Sequence, residues 1–154
     1  MSVAINGIAH IQITVQHLDR SIGFYRGLAE AFGMTVLVDT EVHFYAIGGR
    51  TGLGVRQGNR DVAYDQYNAG LHHVCFRARS RDDVDACGEL VQQLGGTLVH
   101  GPQEDEWAPG YYSVLFEDPC GTRLEINHVP GKGHLEQDAS TPLRDDIQAR
   151  LGER

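Results

Sequence analysis

At 154 residues the chain is one domain's worth, or two small repeated modules sharing a core, and is long enough to bury most of its apolar surface. A net charge of -8 and an isoelectric point near 5.4 leave no basic footprint, which argues against nucleic acid or an anionic membrane as partner and for a small molecule. Cys75, Cys87 and Cys120 are odd in number and form no C-x-x-C pair, no stretch approaches the roughly 18 apolar residues of a membrane span, and the start carries no signal core; a cytoplasmic protein with free thiols is expected.

Residues 8–16 alternate, with Ile11, Ile13 and Val15 on one face and His10, Gln12 and Thr14 on the other, which predicts a strand with one polar face. Asp19 is the expected N-cap of a following helix, in which Ile22, Tyr25, Leu28, Ala29 and Phe32 recur at helical spacing until Gly33 stops it. Residues 34–40, 42–47 and 52–57 read as three strands, the last two joined by a hairpin through Gly48, Gly49 and Arg50. In the middle strand Val42, Phe44 and Ala46 take the apolar face, so Glu41, His43 and Tyr45 take the other.

The polar, turn-rich stretch 58–69 reads as a linker, after which the pattern restarts. His73, Cys75 and Arg77 alternate against Val74, Phe76 and Ala78, and Ser80 with Asp83 forms a capping box for a helix to Leu94, closed by Gly95 and Gly96. Residues 97–100, 111–116 and 122–127 complete a second set of strands, with a loop at 102–110 on which Trp107 and Tyr111 are candidate lid residues. His10 precedes Gly33 by 23 residues and His73 precedes Gly96 by 23, so the chain is an internal duplication: an α+β fold of two paired βαβββ modules, 5–57 and 70–129, within a domain spanning 1–130. The tail 131–154 has one expected short helix, capped by Thr141 with Pro142 first and Leu143, Ile147 and Leu151 as its stripe, and adds no inward ligand.

The turn at Pro119 and Gly121 launches the last strand, where Leu124 and Ile126 take the apolar face and Glu125 the other. An inward carboxylate calls for a cation or a metal. Singly, each histidine reads as a satisfied core residue and Glu125 as the partner of Arg123 or Arg77. Together, two repeat-equivalent imidazoles and one carboxylate make a facial set that leaves about three positions open on an octahedral ion, an arrangement suited to catalysis. His72 falls by strand parity on the face opposite His10's. His43 is the candidate general acid or base, with Tyr45 beside it. Arg56 and Arg77 are candidates to hold a substrate carboxylate, and Cys120 in its turn is incidental.

On the paired βαβββ order, the Ala9-His10-Ile11 opening with Phe24-Tyr25 in the next helix, the His72-His73-Val74 restart and the run from Asp118 to Glu125, the chain resembles the vicinal oxygen chelate superfamily over about residues 5–129. The resemblance implies a U-shaped, partly closed mixed sheet around one divalent ion (iron, manganese, nickel, cobalt or zinc) held by His10, His73 and Glu125, which chelates adjacent oxygens of a small substrate. It implies a homodimer with the site within one chain or shared between two, and lyase, isomerase or dioxygenase chemistry. The other function known in the superfamily is sequestration of a small molecule by bleomycin-resistance proteins, which lack the ligands. Glyoxalase I and the epimerases carry a fourth ligand where this chain has Gly54. Extradiol dioxygenases carry a tyrosine where it has Leu115. Fosfomycin transferases carry a cation-binding loop of small residues with no counterpart in 106–111, so neither oxygenation nor that transfer is expected.

Overall fold

The computed structural model describes residues 2–5 and 7–131. The expected tail helix around Pro142 lies outside them. Strand β1 (His10–Val15) leads into α1 (Leu18–Ala31), then β2 (Thr35–Asp39), β3 (His43–Gly48) and β4 (Thr51–Gln57). The second module repeats this as β5 (Val74–Arg77), α2 (Arg81–Gln93), β6 (Thr97–Asp105), β7 (Tyr111–Glu117) and β8 (Arg123–His128). The sheets have the same topology, β1-β4-β3-β2 and β5-β8-β7-β6, with the first pair of each parallel and the rest antiparallel. The expected paired βαβββ fold is therefore the fold observed. Among the described residues no ladder joins the sheets, so each stays open and the chain does not close into a barrel.

Alternation decides which face is buried. Ile13 and Val15 are buried while His10, Gln12 and Thr14 are exposed, and Phe44 and Ala46 are fully buried between half-buried His43 and Tyr45. The apolar faces of both sheets meet one core in which α1 is the bridge: Phe24 lies 6.2 Å from Phe116, Phe32 lies 5.2 Å from Phe76, and the Tyr25 hydroxyl donates to Asp118 at 2.9 Å. Both polar faces consequently turn away from that core, one carrying His10 and the other Glu125.

Five local expectations are corrected. Helix α1 starts one residue before Asp19, with His17 as an N-cap that makes no side-chain bond. Its Leu18 amide is instead capped from across the module by Gln57 Oε1 at 2.8 Å, while Gln57 Nε2 donates to the Gln16 and Gly58 carbonyls. Val42 precedes β3 and is exposed, so parity does not reach it. Strand β6 runs on to Asp105 through two register shifts, shortening the expected loop to residues 106–110. The left-handed stop of α2 is Gly95, at φ 82, matching Gly33 at φ 64 in α1. Tyr111 opens β7, as the expected strand 111–116 has it, but is buried there and is not a lid residue. The capping contact at Ser80 is present, its Oγ accepting from the Asp83 amide at 3.1 Å, and the Gly49-Arg50 hairpin turn has positive φ at both residues, as a tight turn between twisted strands requires.

Candidate metal centre

The site is built outward from the β7–β8 turn. Asp118, buried at its head, accepts from the Cys120 and Thr122 amides at 2.8 Å each through Oδ1, while Gly121 takes φ 84. This fixes the start of β8, after which Leu124 and Ile126 enter the core and Glu125 and Asn127 are buried on the opposite face. Cys120 is half-buried, its Sγ 3.3 Å from the His17 carbonyl, so the thiol helps tie the turn to the first module.

Glu125 meets neither arginine proposed as its partner. Arg123 pairs with Glu117 at 3.0 Å, while Glu125 Oε2 lies 2.9 Å from His73 Nε2 and its Oε1 accepts from the Tyr111 hydroxyl at 2.5 Å. Burial pushes the Glu125 carboxyl up, but the bonds from His73, Tyr111 and Ser113 and the His73 charge outweigh it and leave the pKa below the ordinary value. Burial, reinforced by the bond to Glu125, raises the Tyr111 phenol far above its ordinary value, so Tyr111 is the donor of this pair. Tyr111 and Ser113 share β7's polar face with Leu115, the residue in register with Glu125. Parity along residues 111–116 carries that signal, since Tyr112, Val114 and Phe116 share one face of the strand and leave Tyr111, Ser113 and Leu115 on the other.

His73 and His72 both precede β5, so strand parity does not separate them: their Nδ1 atoms lie 2.7 Å apart and their rings 5.0 Å apart. His72 is thus part of the His73 surroundings, against the expectation that it faced away. His10 opens β1 on the other sheet, its ring 6.5 Å from that of Tyr45. On the same face Gln12 Nε2 lies 3.4 Å from His43 Nε2, and β3–β4 pairing sets His43 opposite Arg56. Arg56 and Arg77 are exposed, on different sheets. Among the described residues no three histidine, cysteine or acidic side chains of one chain form a metal-holding group, so His10 stands apart from the His73–Glu125 pair. The cleft between the modules, of about 1080 Å³, is lined by apolar groups such as Ile11, Phe32, Phe76 and Ile126 and contains none of the three.

The donor set fits a divalent ion. His73 Nε2 and Glu125 Oε2 face each other while their other polar atoms are committed, Nδ1 to His72 and Oε1 to Tyr111, so the facing pair is what remains for a cation. No further ligand comes from the first module's last strand. Register places Gly54 opposite Gln12 and Tyr45, as Glu125 stands opposite Cys75 and Leu115, and the space a side chain would take at Gly54 is filled by the Gln12 amide.

Known proteins resemble the chain in sequence and in fold. A metallothiol transferase FosB of Lysinibacillus sphaericus is 27% identical over 127 residues, covering 81% of this chain and 84% of the relative. A solved glyoxalase/bleomycin resistance protein from Albidiferax ferrireducens superposes with a TM-score of 0.66 at 22% identity, over 79% of this chain and 98% of that one. The fosfomycin resistance protein FosX from Mesorhizobium loti gives a TM-score of 0.60 at 23% identity, over 86% and 99%. At those identities the two structures establish the fold alone. The sequence model of the Glyoxalase/Bleomycin resistance protein/Dioxygenase superfamily matches residues 7–126, and the chain belongs to that superfamily.

Proposed function

We propose that the protein is a metal-dependent enzyme acting on a small substrate that chelates through adjacent oxygens, with a site shared between two copies of the chain: His73 and Glu125 from one and His10 from the other. The observation that carries this reading is the His73–Glu125 pair, a buried carboxylate kept ionised with one oxygen 2.9 Å from an imidazole nitrogen. Because His10 lies on a polar face turned away from the shared core, a second copy is the natural source of the third ligand. β1 and β5, the strands that carry or follow the two histidines, are unpaired sheet edges among the described residues and suit such an encounter.

A bound divalent ion would supply Lewis-acid stabilisation of an oxyanion on the substrate. The chain's own groups do the rest. Tyr111 holds Glu125 Oε1 and so aims Oε2. His43 and Tyr45, on the wall that carries His10, take or return a proton, and Arg56 and Arg77 meet an anionic group of the substrate. Leu115 beside Glu125 brings no acid or base to the position in register with the ligand, and the FosB-named relative belongs to a group-transfer class; both favour addition or isomerisation over oxygenation. The exposed Cys75 and the other two free thiols suit the reducing interior of a cell.

The test is complementation. His10→Ala and Glu125→Gln should each lose metal as pure proteins. After unfolding and refolding together, half the dimers are mixed and each mixed dimer holds one intact site, so about a quarter of wild-type metal content should return. Acetohydroxamate should then perturb the spectrum of the cobalt-loaded mixture. No recovery would refute the shared site, and wild-type metal content in either single variant would refute the ligand set and leave a small-molecule binding protein as the reading.

A further inference from the structure

The linker ahead of β5 is folded onto His73. The Tyr64 hydroxyl lies 2.5 Å from the Leu71 carbonyl and 2.7 Å from that of His72, so it gathers the two peptides immediately before His73. Asp65 holds the next turn, accepting from the Tyr67 amide at 2.9 Å through its side chain and from the Asn68 amide at 3.2 Å through its carbonyl. The ring of Tyr67 then stands edge-on to that of His72 with centroids 6.2 Å apart. What these contacts fix is the His72 imidazole, whose Nδ1 sits 2.7 Å from His73 Nδ1.

We infer that His72 is a positioning residue for His73, and that Tyr64 and Tyr67 make the linker a device that sets the orientation of this ligand; the inference rests on the reading of His73 as a metal ligand. An imidazole can give Nε2 to a cation only if Nε2 carries no proton, which puts the proton on Nδ1. When a cation takes His73 Nε2, His73 Nδ1–H would donate to His72 Nδ1 and the proton of His72 would sit on its own Nε2; without a cation, His73 Nε2–H donates to Glu125 Oε2 and the contact between the two Nδ1 atoms runs from His72. The bond would favour the metal-bound state of His73 and keeps the ring aimed at Glu125. Removing a partner of this kind from a metal-bound histidine weakens metal affinity about 10–100-fold.

The test compares His72→Ala, His72→Asn and His73→Ala in cobalt(II) titrations of the full chain against a chromophoric chelator. His72→Ala should bind at full stoichiometry but roughly 10–100-fold more weakly. His72→Asn, whose Oδ1 is as many bonds from the backbone as Nδ1 and accepts the same proton, should recover most of the loss. Proton spectra of the zinc-loaded proteins should show the His73 Nδ1 proton hydrogen-bonded and slow to exchange in wild type and His72→Asn, and fast to exchange in His72→Ala. If His73→Ala loses metal while His72→Ala binds as wild type does, the positioning role is overturned and the ligand set stands. Loss of stoichiometry in His72→Ala makes His72 a ligand and also overturns the role. Wild-type binding by His73→Ala removes the ligand reading and this inference with it.

Discussion

Tyr25→Phe removes one hydroxyl from the centre of the molecule and should loosen the joint between the modules. The Tyr25 side chain is fully buried on α1, and its hydroxyl donates at 2.9 Å to Oδ2 of Asp118, whose other oxygen holds the Cys120 and Thr122 amides that start β8. A hydrogen bond to a charged acceptor is worth about 1.5–3 kcal/mol, and the phenylalanine leaves Oδ2 buried without this donor. For a chain of this length that corresponds to a fall in Tm of about 3–12 °C. Urea unfolding of metal-free protein at neutral pH measures it: the midpoint should drop with the slope unchanged. The same bond has a signature in alkali. Burial first, and then the charge of Asp118, raises the Tyr25 phenol well above its ordinary value, whereas in the unfolded chain it ionises near 10. Its contribution is complete below about pH 10 and is lost as pH rises through the folded-state pKa, so the variant should lose less stability across that alkaline limb than wild type does. A loss under about 0.5 kcal/mol, or no coupling between Tyr25→Phe and Asp118→Asn in a double-mutant cycle, would refute the assignment of this bond as the inter-module clamp.

Gln57→Ala should cost about 1–3 kcal/mol in the same assay, because it strips the cap from the Leu18 amide and a donor from two carbonyls, while Asp19→Ala, which loses a charge near a helix start and no capping bond, should cost less than about 1 kcal/mol; equal losses would mean that the Gln57 cap is not the operative one. Gly96→Ala places a methyl 2.8 Å from the Glu117 carbonyl, Phe24 and Val91 and should cost about 1–3 kcal/mol by overpacking. At Gly54 the obstruction is only the flexible end of Gln12, so Gly54→Ala should fold with little loss, and equal unfolding midpoints for the two variants would contradict the contrast.

Much of the fold was legible because its signals are local. Alternation in residues 10–15 separated Ile13 and Val15 from His10, Gln12 and Thr14, and the Ser80–Asp83 pair marked the start of α2. Repeat spacing then matched the two modules, and the resulting equivalence of Gly54 with Glu125 agrees with the strand register. Where a signal was not local, the reading failed. The cap of α1 comes from Gln57, 39 residues away, and no inspection of the residues around Asp19 reveals it. The bulges that carry β6 on to Asp105 break the two-residue period, so its second half looked like a loop.

Within the site the same rule separates what parity could reach from what it could not. Parity assigns a side chain to a face only inside a strand, which is why it handled Glu125 and Tyr45 and misjudged His72, whose position depends on how Tyr64 and Tyr67 fold the segment before β5. Tyr111 was within reach, because it opens the expected strand and continues the face of Ser113 and Leu115, but reading it as a lid residue concealed that continuity. The relation of His10 to the other two residues belongs to a different level. Repeat symmetry makes His10 and His73 equivalent within their modules, yet equivalence says nothing about whether two polar faces meet inside one chain or across two. Here the partners of the first module's helix region, Phe116, Phe76 and Asp118, hold the second module against it, and on the function proposed above the faces that would share an ion meet in another copy.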